Sequence, residues 1–346
     1  MAPHVGFSGA TTNPRLIAQA MLEENARWEH WLRRQNRGAE GAGTVLTWLY
    51  QQAIREGARQ LMPLWILSQR RYGWMSAQID FRVGHANAWV TQGIKLSRLS
   101  PNLMIKVPAS RQGLDVVQQL VAKGCGVNVT LCFTVAQAAA ALRAIRAGQE
   151  QGRERTGREE PPHVITFMIG RFGAEPEFTG QASRAGIALG VEERRWADLE
   201  IYRSIQALLR EDRRQHGDAP VRLLLSSIKT DPGPFGIEHC WHLERTDPVQ
   251  TLYTLTPEVV EFMVRRHLSG QPLVFGGSDS CMPDAVRASL MAIPYFERGN
   301  RIDGLLPEHF EHHPAFVTAS QDAAAAWQRL EHFVGSARSG PLERAS

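Results

Sequence analysis

Two periods of apolar spacing alternate along the chain. Short runs at 4–9 (HVGFSG), 74–80 (WMSAQID), 103–108 (LMIKVP), 126–131 (GVNVTL), 164–170 (VITFMIG), 221–227 (VRLLLSS) and 250–257 (QTLYTLTP) predict seven strands. Longer stretches with apolar residues three and four apart lie between them. Two such helices, 14–35 and 44–69, fill the first interval; 85–99, 113–124, 135–151, 193–212 and 258–268 follow. Strands alternating with helices, several of the strands near-continuously apolar, argue for a parallel sheet covered on both faces. A (β/α) barrel is the natural architecture, because the competing doubly wound sheet would carry a GxGxxG after a strand and none is present. Residues 1–270 are read as the barrel. Residues 271–346, with helical patterns at 283–296 and 320–335, are read as a helical extension packed outside it. The polar segment 148–162 reads as a flexible connection.

Composition narrows this picture. The 346 residues carry a net charge of +4, and basic residues alternate with acids in stretches such as VEERRW (191–196), so solvated helix faces are expected and no nucleic-acid footprint. A mildly positive site for phosphorylated substrates fits this balance. Cys125, Cys132, Cys240 and Cys281 form no CxxC pair, which suits a reducing cytoplasm. Neither a signal peptide nor a membrane span is predicted.

One residue stands against the apolar pattern. Lys106, one of only four lysines (with Lys95, Lys123 and Lys229), sits between Ile105 and Val107 in what reads as a buried strand. Burying an unpaired charge is costly. A desolvated lysine falls toward neutrality and can attack a carbonyl, as an arginine cannot. The alternative is a lysine that snorkels to water or pairs with a carboxylate. Strand parity puts Gln78 with Asp80, Asn128 with Thr130 and Ser227 with Lys229 at neighbouring strand ends, where a barrel builds its site. Taken singly, Asn128 or Thr130 reads equally as a hydrogen-bonded core group, Asp80 as a cap and Ser227 as a small packing residue.

The ordered set GATTNPRLI (9–17), SAQIDFR (76–82), IKVPASRQGL (105–114), GVNVTLCFTVAQA (126–138) and FMIGRF (167–172) resembles the successive signatures of the transaldolase and fructose-6-phosphate aldolase family, class I aldolases on a (β/α)₈ barrel. The resemblance implies a dihydroxyacetone transfer between sugar phosphates, with Lys106 as the Schiff-base lysine and no metal or cofactor. It further implies that Asn13 and Asn128 line the donor site, that Thr130 holds the catalytic water beside Gln78, and that Arg171, Ser227 and Lys229 bind phosphate. Aldol cleavage without transfer, or a sugar-phosphate-binding or partner-binding barrel of reduced activity, is the alternative. A homo-oligomer is compatible with either.

Four departures from that pattern shape the expectation. The family's first strand, with its acid/base aspartate, precedes the strand that leads into TTNP, and only eight residues stand before GATTNP here, so a barrel lacking the first strand is expected. The stretch 273–280 (LVFGGSDS) reads as a surface loop or a substitute for that strand. Gln78 stands where transaldolases have glutamate and the aldolases glutamine, and an amide takes no proton at neutral pH. Met168 replaces a phenylalanine or tyrosine, and Lys229 an arginine. Asp80 is then either a substitute carboxylate or a structural partner of nearby groups. His239, Cys240 and His242 lack the further convergent pair that a metal site needs. The EHHP of 311–314 reads as surface, and Trp28, Trp31 and Trp48 as packing residues.

Overall fold

The computed structural model describes residues 7–35, 41–82, 84–153, 160–217, 221–232, 238–276 and 281–339. The chain divides into two compact units, Met1–Lys106 with Thr318–Ser346, and Val107–Val317. Strands β1 (Gly9–Thr11), β2 (Trp74–Gln78) and the first part of β3 (Leu103–Pro108) belong to the first unit. The second holds the end of β3 with β4 (Gly126–Cys132), β5 (His163–Phe167), β6 (Val221–Leu225) and β7 (Thr251–Tyr253). Within each unit the strands are parallel and follow one another in chain order. This is the α/β architecture of the TIM-type barrel, with seven strands of the parallel sheet among the described residues. Among the described residues no helix is long and apolar enough to cross a membrane.

In the first unit, TTNP ends β1 and starts a helix. Asn13 is the N-cap of Pro14–Glu23, its Oδ1 accepting the Leu16 N–H at 2.8 Å, and Pro14 takes the first-turn position where no N–H is needed. The helix Ala42–Leu67 buries Leu49, Tyr50, Ile54 and Ala58, one apolar stripe at helical spacing. The register sets Thr11 beside Ser76 and Gln78 beside Lys106. The last helix, Pro314–Ser339, contributes Trp327, whose ring lies 4.8 Å from that of Tyr50 and under the Arg82 guanidinium at 5.2 Å.

In the second unit β4 and β5 are buried at every residue, as a sheet covered on both faces requires. Ser110 and Thr134 cap the helices Arg111–Ala122 and Val135–Gly152 by accepting the Gly113 and Gln137 N–H groups.

Several sequence expectations shift. The first strand lies at Gly9–Thr11 rather than 4–9; Phe7 is exposed, and residues 4–6 lie outside the described residues. The stretch 14–35 is two helices that change direction at Glu24, where ψ is 36°, and 283–296 breaks where Pro294 opens a new helix. Residues 273–276 form no strand, 277–280 lie outside the described residues, and so does part of the connection expected at 148–162, whose first residues to Gly152 are helical. His313 of EHHP is not on the surface. It is buried among Phe133, Phe172 and Tyr295, with ring centroids 5.1–6.3 Å away, and desolvation pulls its pKa down to about 4.

Asn102 is a fully buried polar residue in the first unit. Its amide donates to the carbonyls of Ala58 at 2.9 Å and Gly73 at 2.8 Å, joining a helix to the turn before β2. Asn102→Ala removes the amide from the Gly73 carbonyl and the extra bond from the Ala58 helix carbonyl, so a loss of about 1–3 kcal/mol is expected. Urea unfolding should show a lower midpoint with an unchanged slope.

Candidate active site

Lys106 is 7% exposed in a strand buried throughout, between Ile105 and Val107, both at 0%. Its Nζ donates to Thr11 Oγ1 at 3.4 Å and to the Thr12 carbonyl at 3.3 Å. Among the described residues no carboxylate pairs with it. Burial therefore acts unopposed and pulls its pKa from 10.5 to about 8. A neutral amine has two N–H bonds and one lone pair. The Thr11 hydroxyl and the Thr12 carbonyl can accept both hydrogens, which leaves the lone pair of the neutral form without a donor among these two contacts.

The surrounding motif holds those acceptors in place. Thr12 Oγ1 donates to the Ser76 carbonyl at 2.7 Å and the Thr12 N–H to the same oxygen at 3.1 Å, which fixes the carbonyl that meets Lys106. Gln78 is buried next to Lys106 in register, and its main chain is gripped by Tyr50. The phenol donates to the Gln78 carbonyl at 2.8 Å and accepts its N–H at 3.2 Å. Asp80 is committed elsewhere: its carboxylate accepts Arg82 Nε at 2.9 Å and a second guanidinium nitrogen at 2.8 Å, and Arg82 also pairs with Glu331 of the last helix. Asn13 spends its side-chain oxygen on the helix cap.

In the second unit Asn128 and Thr130 lie buried on β4, with Thr166 of β5 donating to Asn128 Oδ1 at 2.6 Å. Just beyond them Leu131 has φ 53°, a left-handed conformation unfavourable for a branched side chain, and the β4–β5 register shifts there. The buried Gln137 holds this distortion, its amide donating to the Ala109 and Leu131 carbonyls and its Oε1 accepting the Phe133 N–H.

Arg171 lies on the short helix Ile169–Phe172, and Ser227 and Lys229 on the segment after β6. These pieces pack tightly. A Cβ at Gly170 would collide with the Ser227 carbonyl oxygen and meet Lys229 Cγ at 2.9 Å, so only glycine lets the two segments touch. Ser227 takes φ 60°, a strained position of the kind that gathers at functional sites. Below lies a buried polar cluster that the sequence does not announce. The Lys229 N–H donates to His242 Nδ1 at 3.1 Å, and His242 Nε2 contacts Asp198 Oδ2 at 3.1 Å. Asp198 also accepts the Gly173 N–H at 2.7 Å and Arg195 at 2.9 Å, and Arg195 makes a two-pronged pair with Asp231 at 2.6 and 2.8 Å. Burial holds the His242 pKa down, consistent with a neutral ring that accepts at Nδ1 and donates at Nε2. Both its nitrogens are thereby committed to the protein. Cys240 Sγ donates to the Lys229 carbonyl, and burial raises its pKa to about 12. The only sequence signal for this cluster is His242 itself, in the loop after β6.

The depressed pKa of Lys106 has a consequence for stability. Below pH 8 the folded state must carry a buried ammonium that the unfolded chain carries in water; between about 8 and 10.5 the folded state binds fewer protons than the unfolded, so stability rises with pH. Lys106→Met removes the penalty. At pH 7 the variant should exceed the wild type by up to about 3 kcal/mol, the gain shrinking above pH 8 and gone above 10.5, as read from denaturation at each pH.

Residues 1–193 match the family model described as transaldolase/fructose-6-phosphate aldolase. A transaldolase of Mycobacterium tuberculosis (strain ATCC 25618 / H37Rv) is 30% identical over 207 residues, 59% of this chain and 55% of its own length. One from Mycolicibacterium paratuberculosis is 32% identical over 171 residues, 48% of this chain and 46% of its own, and one from Mycobacterium ulcerans 29% over the same shares. The chain thus spans about half the length of the curated relatives it matches, and Ser227, Lys229 and the cluster beneath them lie beyond the stretch matched by the family model. Since that model covers more than half of the chain, carries the lysine strand and fits the βα architecture, the chain belongs to the transaldolase/fructose-6-phosphate aldolase family.

Proposed function

We propose that the protein is a transaldolase-type enzyme that moves a dihydroxyacetone unit between phosphorylated sugars through a Schiff base on Lys106. The observation that carries this reading is the buried amine, its pKa drawn to about 8, which meets the Thr11 hydroxyl and the Thr12 carbonyl and no carboxylate among the described residues. The free amine attacks the ketose carbonyl, and loss of water gives an iminium. Breaking the C3–C4 bond sends its electron pair into the iminium to form an enamine, while the C4 hydroxyl loses its proton and leaves as an aldehyde. The enamine then adds to an acceptor aldehyde, and water releases the new ketose. Following the family pattern, Thr130 and Gln78 hold the water that relays protons, Asn13 and Asn128 bind donor hydroxyls, and Arg171, Ser227 and Lys229 bind the phosphate. In this reading Asp80 stays a structural partner of Arg82, because both its oxygens are engaged there.

Aldol cleavage without transfer is the second reading. Gln78 supports it, since an amide orients water but takes no proton, and the aldolase branch carries glutamine at this position. General acid/base help is worth roughly 10²–10⁴ in rate, so a chain with an amide at 78 and Met168 beyond β5 is expected to turn over slowly while still forming the imine.

Borohydride reduction in the presence of fructose 6-phosphate or dihydroxyacetone should attach the ligand to Lys106 and to no other lysine, with Lys106→Met unmodified by mass spectrometry. The trapping rate should climb with pH through about 8 and then level as the amine becomes fully deprotonated. An intact protein left unmodified under these conditions overturns the reading. Product analysis with and without an aldehyde acceptor separates transfer from cleavage.

A further inference from the structure

The two segments assigned to phosphate meet at one buried carboxylate. Asp198, 0% exposed on the helix Val191–His216, accepts at Oδ1 the N–H of Gly173, directly after the helix that carries Arg171. At Oδ2 it accepts from His242 Nε2, and His242 Nδ1 accepts the main-chain N–H of Lys229 itself. A Cβ at Gly173 would come within 2.7 Å of the Asp198 carboxylate, so the segment that follows Arg171 is glycine where it approaches the hub. Arg195 secures the other side. It binds Asp198 Oδ2 and forks onto Asp231, two residues beyond Lys229. A buried carboxylate with three donors is fully satisfied and held in one place.

We infer that Asp198, acting through His242, is the positioning residue that fixes Lys229 relative to Arg171 and so sets the preference for phosphorylated over unphosphorylated ketoses. This rests on the phosphate assignment of Arg171, Ser227 and Lys229 made above. Lysine binds phosphate as a point charge with no fork to hold its geometry, so its contribution depends on where the main chain puts it. His242 determines that placement at the Lys229 nitrogen. Asp198 determines it for His242 and, at Gly173, for the end of the Arg171 helix.

The test compares Asp198→Asn and His242→Asn with the wild type in borohydride trapping at Lys106, using fructose 6-phosphate and, separately, dihydroxyacetone. Asp198→Asn keeps an acceptor for Gly173 but sets an amide against the His242 and Arg195 donors. His242→Asn is the milder change: it keeps an acceptor near Lys229 and loses the link to Asp198, so it carries the test where Asp198→Asn does not fold. Each variant should need about tenfold more fructose 6-phosphate for half-maximal trapping, the equivalent of one charge-assisted hydrogen bond. The dihydroxyacetone response should stay within about twofold of wild type, a selectivity that general loss of structure does not produce. The inference fails if both variants keep wild-type fructose 6-phosphate dependence while Lys229→Ala loses it, an outcome that leaves the phosphate assignment standing. It also fails if both ligands weaken together in folded variants. Unchanged fructose 6-phosphate dependence in both Lys229→Ala and Arg171→Ala overturns the phosphate assignment, and the inference with it.

Discussion

Desolvation of the Lys106 amine is the constraint around which the lysine end of the chain is organised. A strand buried at all six positions gains stability from every residue except this one, whose ammonium loses its hydration and finds no carboxylate among the described residues. Burial brings the pKa down to about 8, so the cost of the ammonium is borne below that pH, and the free amine above it needs only acceptors for its two hydrogens. TTNP supplies them in four consecutive residues. Thr11 gives its hydroxyl and Thr12 its carbonyl, Thr12 is locked to β2 by its own side chain, and Asn13 and Pro14 begin the helix that stops the segment from moving. The motif thus ties the Lys106 amine, the edge of β2 and the start of a helix into one set of hydrogen bonds.

A second device recurs in the larger unit: one buried polar side chain satisfies several main-chain groups that regular pairing would leave open. Gln137 does this at the irregular end of β4, where Leu131 is left-handed; Asp198 is the related case of a buried carboxylate that joins one main-chain N–H, that of Gly173, to the His242 and Arg195 side chains. Strand ends of this kind are where pairing must stop so that side chains can meet a ligand, and stopping it leaves carbonyl and amide groups in the core. A strained φ of 60° at Ser227 costs on the order of 1–3 kcal/mol and persists only because its neighbours fix it.

This division explains what was legible in the sequence. The lysine strand 103–108 has the bounds that its apolar run predicts, because six consecutive residues buried on both faces leave a strong signal. The second strand ends at Gln78, two residues short of its run, since Asp80 turns out to meet Arg82 in a contact two residues apart that only the folded loop reveals. EHHP looks polar, and His313 is nonetheless enclosed by rings supplied from residues 133, 172 and 295, a long-range arrangement with no periodic trace. Asp198 and Arg195 were hidden for a related reason. In VEERRWADLE they read as one more charged helix face, and the fact that they point inward is set by Gly173, Asp231 and His242, far away in the chain.

Under the phosphate assignment proposed above, a lysine at 229 where an arginine is the family pattern depends for its placement on the cluster beneath it. A guanidinium carries its own geometry to a phosphate, so the backbone below it can be held loosely and still deliver two parallel bonds. An ammonium on a flexible stem has no such memory, and its contribution falls with every ångström of uncertainty in where the stem begins. Placing a neutral histidine on the Lys229 N–H, and a buried carboxylate behind the histidine, moves the geometric definition from the side chain into the main chain. The lysine strand, its TTNP partner and Arg171 lie within the stretch matched by the family model, whereas Asp198, Lys229 and His242 lie beyond it. In the proposed reading the two sets of residues are under different demands: a nucleophilic amine must be dry and aimed, which allows few solutions, whereas a cation can be positioned by any rigid support that the rest of the fold is able to build.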